Sequence, residues 1–213
     1  MIEVDRKRIG QGWQYSVYDI GGGRVYKRMH SWLKSFVVIY NLRSDVQPER
    51  LWLIPQKINE LRQSAKRSKG ILISHQIPPR IIGNACYDAG GLNYTQDKAT
   101  PLRDVLSGLD ITKQKNIVDR YVALIQGLLF DFGVIDSSFN VTKNYGLDSR
   151  GELILLDIGE LVCDQAEIEA CLLSRPWEKK YVTHFFPDER IRNYFSKEMC
   201  HFLECAIKKK PYK

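Results

Sequence analysis

Asn144-Tyr145-Gly146-Leu147-Asp148-Ser149-Arg150-Gly151-Glu152-Leu153-Ile154-Leu155-Leu156-Asp157-Ile158-Gly159 is the stretch whose reading decides the fold. One short strand, a Ser149-Arg150-Gly151 turn and the apolar strand Leu153–Leu156, ending on an acid, spell a tight hairpin. The turn brings the two open ends together. Asn144 enters the hairpin and Asp157 leaves it, so two oxygen-bearing side chains can converge on one cation. Hard ions such as Mg²⁺ prefer ligands of this kind.

The rest of the chain gives that hairpin a setting. Its 213 residues, 44% hydrophobic and 27% charged, suffice for a sizeable core in one or two lobes. No apolar run approaches the roughly 20 residues of a membrane span. Met1-Ile2-Glu3-Val4-Asp5-Arg6-Lys7-Arg8 lacks the apolar core of a signal peptide, and the expectation is a cytoplasmic protein. Cys86, Cys163, Cys171, Cys200 and Cys205 are odd in number and show no C-x-x-C spacing, which argues against a disulfide framework and a zinc site. The net charge of +7 suits phosphate-bearing partners, but the basic residues are scattered apart from Lys66-Arg67-Lys69 and Lys208-Lys209-Lys210. Nucleic-acid binding is not the expected function.

Upstream, residues 2–27 read as strands joined by glycine turns. Gly10-Gln11-Gly12 opens an extended segment through Val17, and Gly21-Gly22-Gly23 reverses the chain into Arg24-Val25-Tyr26-Lys27. Glycines in such a turn let backbone N–H groups approach a phosphate, and Lys27 supplies a charge to the same place. Residues 32–43 and 49–67 are helical by pattern, the second helix starting near Pro55 and stopping before Gly70, with Trp52, Ile58 and Leu61 as its apolar stripe. Glu60 is the candidate partner of Lys27, with Glu49 in reserve. Arg80-Ile81-Ile82-Gly83 reads as a strand after Pro78-Pro79, and residues 91–96 as a second strand or linker. Ile111–Phe132 is the strongest helix, with Ile117, Tyr121, Leu124, Ile125, Leu128 and Leu129 at helical spacing; Asp131-Phe132-Gly133 spells D-F-G but marks only its C-terminal end. A last helix runs from about Asp188 to Lys209.

In this order the features resemble the protein kinase-like superfamily over residues about 8 to 162. Gly10, Gly12 and Val17 look like the nucleotide-covering loop G-x-G-x-x-G-x-V, with Tyr15 at the third glycine. The resemblance implies an α+β, two-lobed fold. A small β-rich lobe would span residues 1–95 and a reduced helical lobe residues 96–213. It implies ATP and Mg²⁺ as cofactors, Lys27 on the α/β-phosphates, Glu60 orienting Lys27, Asn144 and Asp157 on the metal, and Thr95 and Gln96 in a hinge at 93–98 facing the adenine. The departure lies in the catalytic loop. Counting back from Asn144 along H-R-D-x-x-x-x-N puts Phe139 where the aspartate belongs, with Asp136 the nearest acid and Lys143 a nearby cation. Only about 50 residues follow Asp157, too few for a long activation segment and full helical lobe. The readings left open are a phosphotransferase acting on a protein or small molecule, an enzyme of the same pocket that transfers AMP, a nucleotide-binding pseudokinase that regulates a partner, and a small α+β protein whose glycines are only turns.

Overall fold

The computed structural model describes residues 7–43, 52–179, 186 and 188–209. Glu49 lies outside them. Strands β1 (Arg8–Gln11), β2 (Tyr15–Gly21) and β3 (Arg24–Met29) form an antiparallel meander, which β5 (Tyr94–Asp97) and β4 (Cys86–Tyr87) extend to five strands in the order β1-β2-β3-β5-β4. Gly21, Gly22 and Gly23 take φ of +79°, +59° and +70° at the β2–β3 turn, a region open to glycine. Two helices follow β3, α1 (Trp32–Arg43) and α2 (Ile54–Ser74). Helix α2 starts with proline in its first turn, as expected, but runs through Gly70 because Ile71 and Leu72 beyond it are buried in the core. That burial outweighs the ~1 kcal/mol that a mid-helix glycine costs. Its buried stripe is Ile54, Ile58, Ala65, Ser68, Ile71 and Leu72, whereas Trp52 is 74% exposed and lies outside it. Pro79–Ile82 is a 3₁₀ turn ending on Gly83 at φ +57°, not the strand expected there.

The second half is helical around the hairpin. β6 (Ala99–Pro101) leads into α3 (Leu102–Leu106), then α4 (Ile111–Phe132), β7 (Ile135–Asp136), the short α5 (Val141–Asn144), and the hairpin β8 (Tyr145–Asp148) and β9 (Leu153–Leu155). β10 (Leu161–Val162), α6 (Gln165–Leu173) and α7 (Glu189–Lys208) complete it. Asp110 caps α4 by accepting from Lys113 N–H, and Gly133 at φ +64° ends it, so Asp131-Phe132-Gly133 is a helix terminus. The faces of α4 and α7 bury Tyr121, Ile125, Leu128, Phe195, Met199 and Phe202 in one core. The fold is thus of the α+β class, a small antiparallel sheet beside a helical part. Among the described residues no helix is long and apolar enough to cross a membrane.

The hairpin pairs Tyr145 with Leu155, Gly146 with Ile154 and Leu147 with Leu153, while Asp148 accepts from the N–H groups of Arg150 and Glu152 to close the turn. β6 adds as a third strand, and a Cβ on Gly146 would lie 2.6 Å from the Thr100 carbonyl, so glycine is needed there for the strands to meet. At the open end both Leu156 N–H and Asp157 N–H donate to the Asn144 carbonyl, at 2.6 and 3.2 Å. The two ends therefore do meet.

Two serines of α2 hold the segment beyond the hairpin. Ser64 Oγ donates to the Gly159 carbonyl at 2.7 Å, and the fully buried Ser68 Oγ accepts from Leu161 N–H at 2.9 Å. Ser68→Ala leaves that N–H without its partner in a dry environment, and a loss of about 1–3 kcal/mol in unfolding free energy is expected from urea denaturation. A loss below about 0.5 kcal/mol would show that the hydroxyl does not anchor Leu161.

Candidate functional site

The sheet register explains how distant residues share a face. Directly opposed residues in an antiparallel ladder project to the same side. Gly10 is opposite Val17, Val17 opposite Lys27, Lys27 opposite Tyr94, and Tyr94 opposite Tyr87, so one row crosses all five strands. Gly10 and Gly12 have room for a Cβ and neither has a positive φ; their value is the open surface they leave. Gly12 N–H bonds the Tyr15 carbonyl at 2.8 Å and closes the β1–β2 turn.

Lys27 leaves that row for the hairpin. Its side chain is buried, and its ammonium donates to the Leu156 carbonyl at 2.6 Å, across 129 residues of sequence. The Nζ also sits 5.4 Å from the centre of the Tyr94 ring. Burial lowers its pKa to about 8, and the negative charge of Asp157 works against that fall. Burial, with the same Asp157 charge, holds the phenols of Tyr15, Tyr87 and Tyr94 well above their usual range. Asp157 thus lies within electrostatic reach of Lys27 and the tyrosine cluster beneath the sheet. Its Oδ1 accepts from Gly159 N–H at 3.1 Å.

Asn144 is set by the loop before it. Its Nδ2 donates to Ser138 Oγ at 2.8 Å and to Asp136 Oδ2 at 3.3 Å, which leaves Oδ1 as the side-chain atom able to ligate a cation. Asp136 is buried at the end of β7, and Ser138 donates to it from both N–H and Oγ. Burial raises the Asp136 carboxyl to about 6 against the pull of these hydrogen bonds. Glu160, three residues past Asp157, rises to about 7 through burial and the charges of Asp157 and Asp136.

Phe139 is not in the site. The chain takes φ +48° there, a conformation costing a non-glycine residue on the order of 1 kcal/mol, and the ring turns into the core against Trp177 at 5.3 Å and Phe202 at 6.2 Å. Ser138 is the side chain that meets Asn144 instead. Counting residues misses this because β7, pairing Asp136 with Leu161, fixes where the loop starts, and a left-handed residue shortens its path.

Other expected site residues are placed elsewhere. Glu60 is half exposed on α2 and engages Gln56 and Lys57, while Lys27 is bonded to the hairpin. The helix instead presents Ser64 and the Leu61 carbonyl toward the site, the latter accepting from Gln14 Nε2 at 3.5 Å. Thr95 and Gln96 lie inside the sheet and not in an open hinge. Thr95 Oγ1 accepts from Arg24, and the buried Gln96 amide donates to the carbonyls of Ile82 and Leu155. Gln14, Ser64, Ser68, Ser138 and Glu160 were not legible as site residues; of these only Glu160, directly after Asp157-Ile158-Gly159, carried a sequence signal.

Among the described residues no three His, Cys, Asp or Glu side chains converge as a metal-binding group. One carboxylate, Asp157, and one amide oxygen, Asn144, fit a Mg²⁺ that keeps waters and draws its other ligands from phosphates.

The sequence matches no family model and no curated protein. Among solved structures it is similar to the bifunctional kinase-methyltransferase WbdD, in complex with the kinase inhibitor LY294002, at 12% identity over 94% of this chain and 45% of that one, with a TM-score of 0.43. A second WbdD structure gives 13% identity, 93% and 43% coverage and a TM-score of 0.42. Choline kinase LicA from Streptococcus pneumoniae is 11% identical over 98% of this chain and 87% of that one, with a TM-score of 0.34. The chain spans less than half the length of WbdD.

The buried ammonium has a measurable signature. With a folded pKa near 8 against 10.5 unfolded, Lys27 binds fewer protons in the native state between those values, so its burial cost is full below pH 8 and is relieved as pH rises to 10.5. Lys27→Met removes the cost altogether. The variant is expected to be at least as stable as the wild type at pH 7, with its advantage shrinking by about 3 kcal/mol between pH 8 and 10.5. Urea unfolding at both ends of that window checks this, and a pH-independent gap would refute it.

Proposed function

We propose that this chain is an ATP·Mg²⁺-dependent phosphotransferase of kinase-like type, built as a small β-rich lobe at 1–95 and a reduced helical lobe at 96–213. The observation that carries the reading is the meeting of Lys27 with the Leu156–Asp157 end of the hairpin, which also holds Asn144. Lys27 would bind the α/β-phosphates beneath Gly10, Gly12 and Val17, and Asp157 with Asn144 Oδ1 would hold Mg²⁺, which neutralises charge on the phosphates. An acceptor hydroxyl would then attack the γ-phosphorus, the bond to the ADP oxygen would break, and the hydroxyl proton would pass to solvent water. The acceptor is a protein or a small molecule.

A second reading is favoured by one observation. The catalytic-loop aspartate of that pattern has no uncommitted counterpart beside Asn144: Phe139 is in the core, and Asp136, which does meet Asn144, is buried and already bonded to it and to Ser138. That arrangement supports a nucleotide-binding regulatory module. Phosphoryl transfer draws mainly on positioning and electrostatics, so the phosphotransferase reading survives the missing base. Transfer of AMP from the same pocket would be recognised by the mass added to the product.

Mg·ATP is expected to raise the melting temperature of the wild type, since a ligand that binds only the folded chain stabilises it. Asp157→Ala should abolish the Mg²⁺-dependent part of that rise and Lys27→Met most of the nucleotide effect. No rise in the wild type would defeat the reading, and a rise with no transfer or hydrolysis would select the regulatory module.

A further inference from the structure

A second basic site lies away from the Lys27–Asp157 centre, where the end of β3, helix α2 and the loop between β4 and β5 enclose an open cavity of about 360 Å³. Arg28 lines it, is exposed, and its side chain forms no hydrogen bond or ion pair among the described residues. Arg62 lines it from α2. One of its terminal nitrogens donates to the His30 carbonyl at 2.7 Å, which fixes the guanidinium in place, while its Nε–H is buried with no partner. The terminal nitrogen that is not bonded to His30 is the donor this guanidinium can offer to an acceptor in the cavity.

The loop completes the donor set. Asn93 Oδ1 accepts from Met29 N–H at 2.9 Å, which leaves the Asn93 amide nitrogen as a donor. The Gly91 carbonyl is taken by Lys69 Nζ at 2.7 Å, and the Asn93 carbonyl by Asp88 N–H, so two of the loop's acceptors are already used inside the protein. Asp88, the acid of this loop, is bonded to the Tyr26 hydroxyl at 2.9 Å. What remains is two guanidinium groups, one fixed and one free, with an amide donor between elements. Planar guanidinium groups match the oxygens of phosphate in paired hydrogen bonds. Water takes roughly 30 Å³ per molecule, so the cavity has room for a phosphate and the group that carries it.

We propose that this cavity binds a phosphate group, free or as a monoester, through Arg28, Arg62 and the Asn93 amide. The site is independent of nucleotide binding at Lys27. It is tested on the full chain without Mg²⁺ or nucleotide, by following the melting temperature during titration with inorganic phosphate and, at matched ionic strength, acetate. Phosphate is expected to stabilise the wild type and the Lys27→Met variant alike, and acetate to have at least tenfold weaker effect. Arg28→Gln, an exposed and unpaired position that the fold does not need, should weaken phosphate at least tenfold, and Arg62→Lys should do the same by removing the planar fork of terminal donors. Running glycerol 3-phosphate alongside separates the sources: tighter binding than inorganic phosphate identifies a monoester, equal binding the free ion. The proposal is overturned if the wild type does not respond to phosphate, if the response disappears in Lys27→Met, if acetate matches phosphate, or if Arg28→Gln responds as the wild type does.

Discussion

The contact on which the structure turns is the Lys27 ammonium on the Leu156 carbonyl, 2.6 Å apart and shielded from solvent. It joins the third strand of the sheet to the end of the hairpin and brings Asp157 within electrostatic reach of Lys27. An ammonium is expensive to bury, and the pKa near 8 records that expense. A carbonyl and a nearby carboxylate offset part of it. A charge kept in such a place is poor as a stabilising device, because apolar side chains of similar volume would serve stability as well or better. Its presence is understandable when the position is meant to meet further negative charge.

Beside this contact, helix α2 holds the segment after the hairpin through two hydroxyls. Ser64 and Ser68 hold the chain at Gly159 and Leu161, and Gln14 reaches from the β1–β2 turn to the Leu61 carbonyl. A Cβ on Gly159 would strike Gln14 Oε1, so the turn, the helix and the segment after the hairpin are packed to the same limit. These are neutral hydrogen bonds, and they fix α2 without depending on the charge of Lys27.

The acids below the hairpin are arranged by repulsion as well as by bonding. Asp136 and Glu160 both sit above the usual carboxylate range, because burial disfavours their charged forms and the charge of Asp157, with that of Asp136 on Glu160, adds to it. Each group raised in this way adds stability at acid pH that is lost as pH climbs through its folded pKa, near 6 for Asp136 and near 7 for Glu160. A cation between Asp157 and Asn144 would relieve the same repulsion.

The sequence by itself determined the hairpin, its turn and the backbone meeting of Asn144 with Asp157, since a short apolar strand and a glycine turn act over a few residues and leave little choice of register. It determined the long helix Ile111–Phe132 and the status of Asp131-Phe132-Gly133 as a helix end for the same local reason. Lys27 was legible as a charge on the sheet face, because strand alternation fixes which side a residue takes. What lies far apart in the chain was decided only by tertiary structure. Glu60 faces outward because the register of α2 turns Ile58 and Ser64 inward, and no local rule names that register. Gln96 is buried because the 3₁₀ turn at Ile82 and the hairpin strand at Leu155 close on its amide. Phe139 leaves the site because one left-handed residue and the rings of Trp177 and Phe202 draw it into the core, a choice made by packing that no count along the chain could contain.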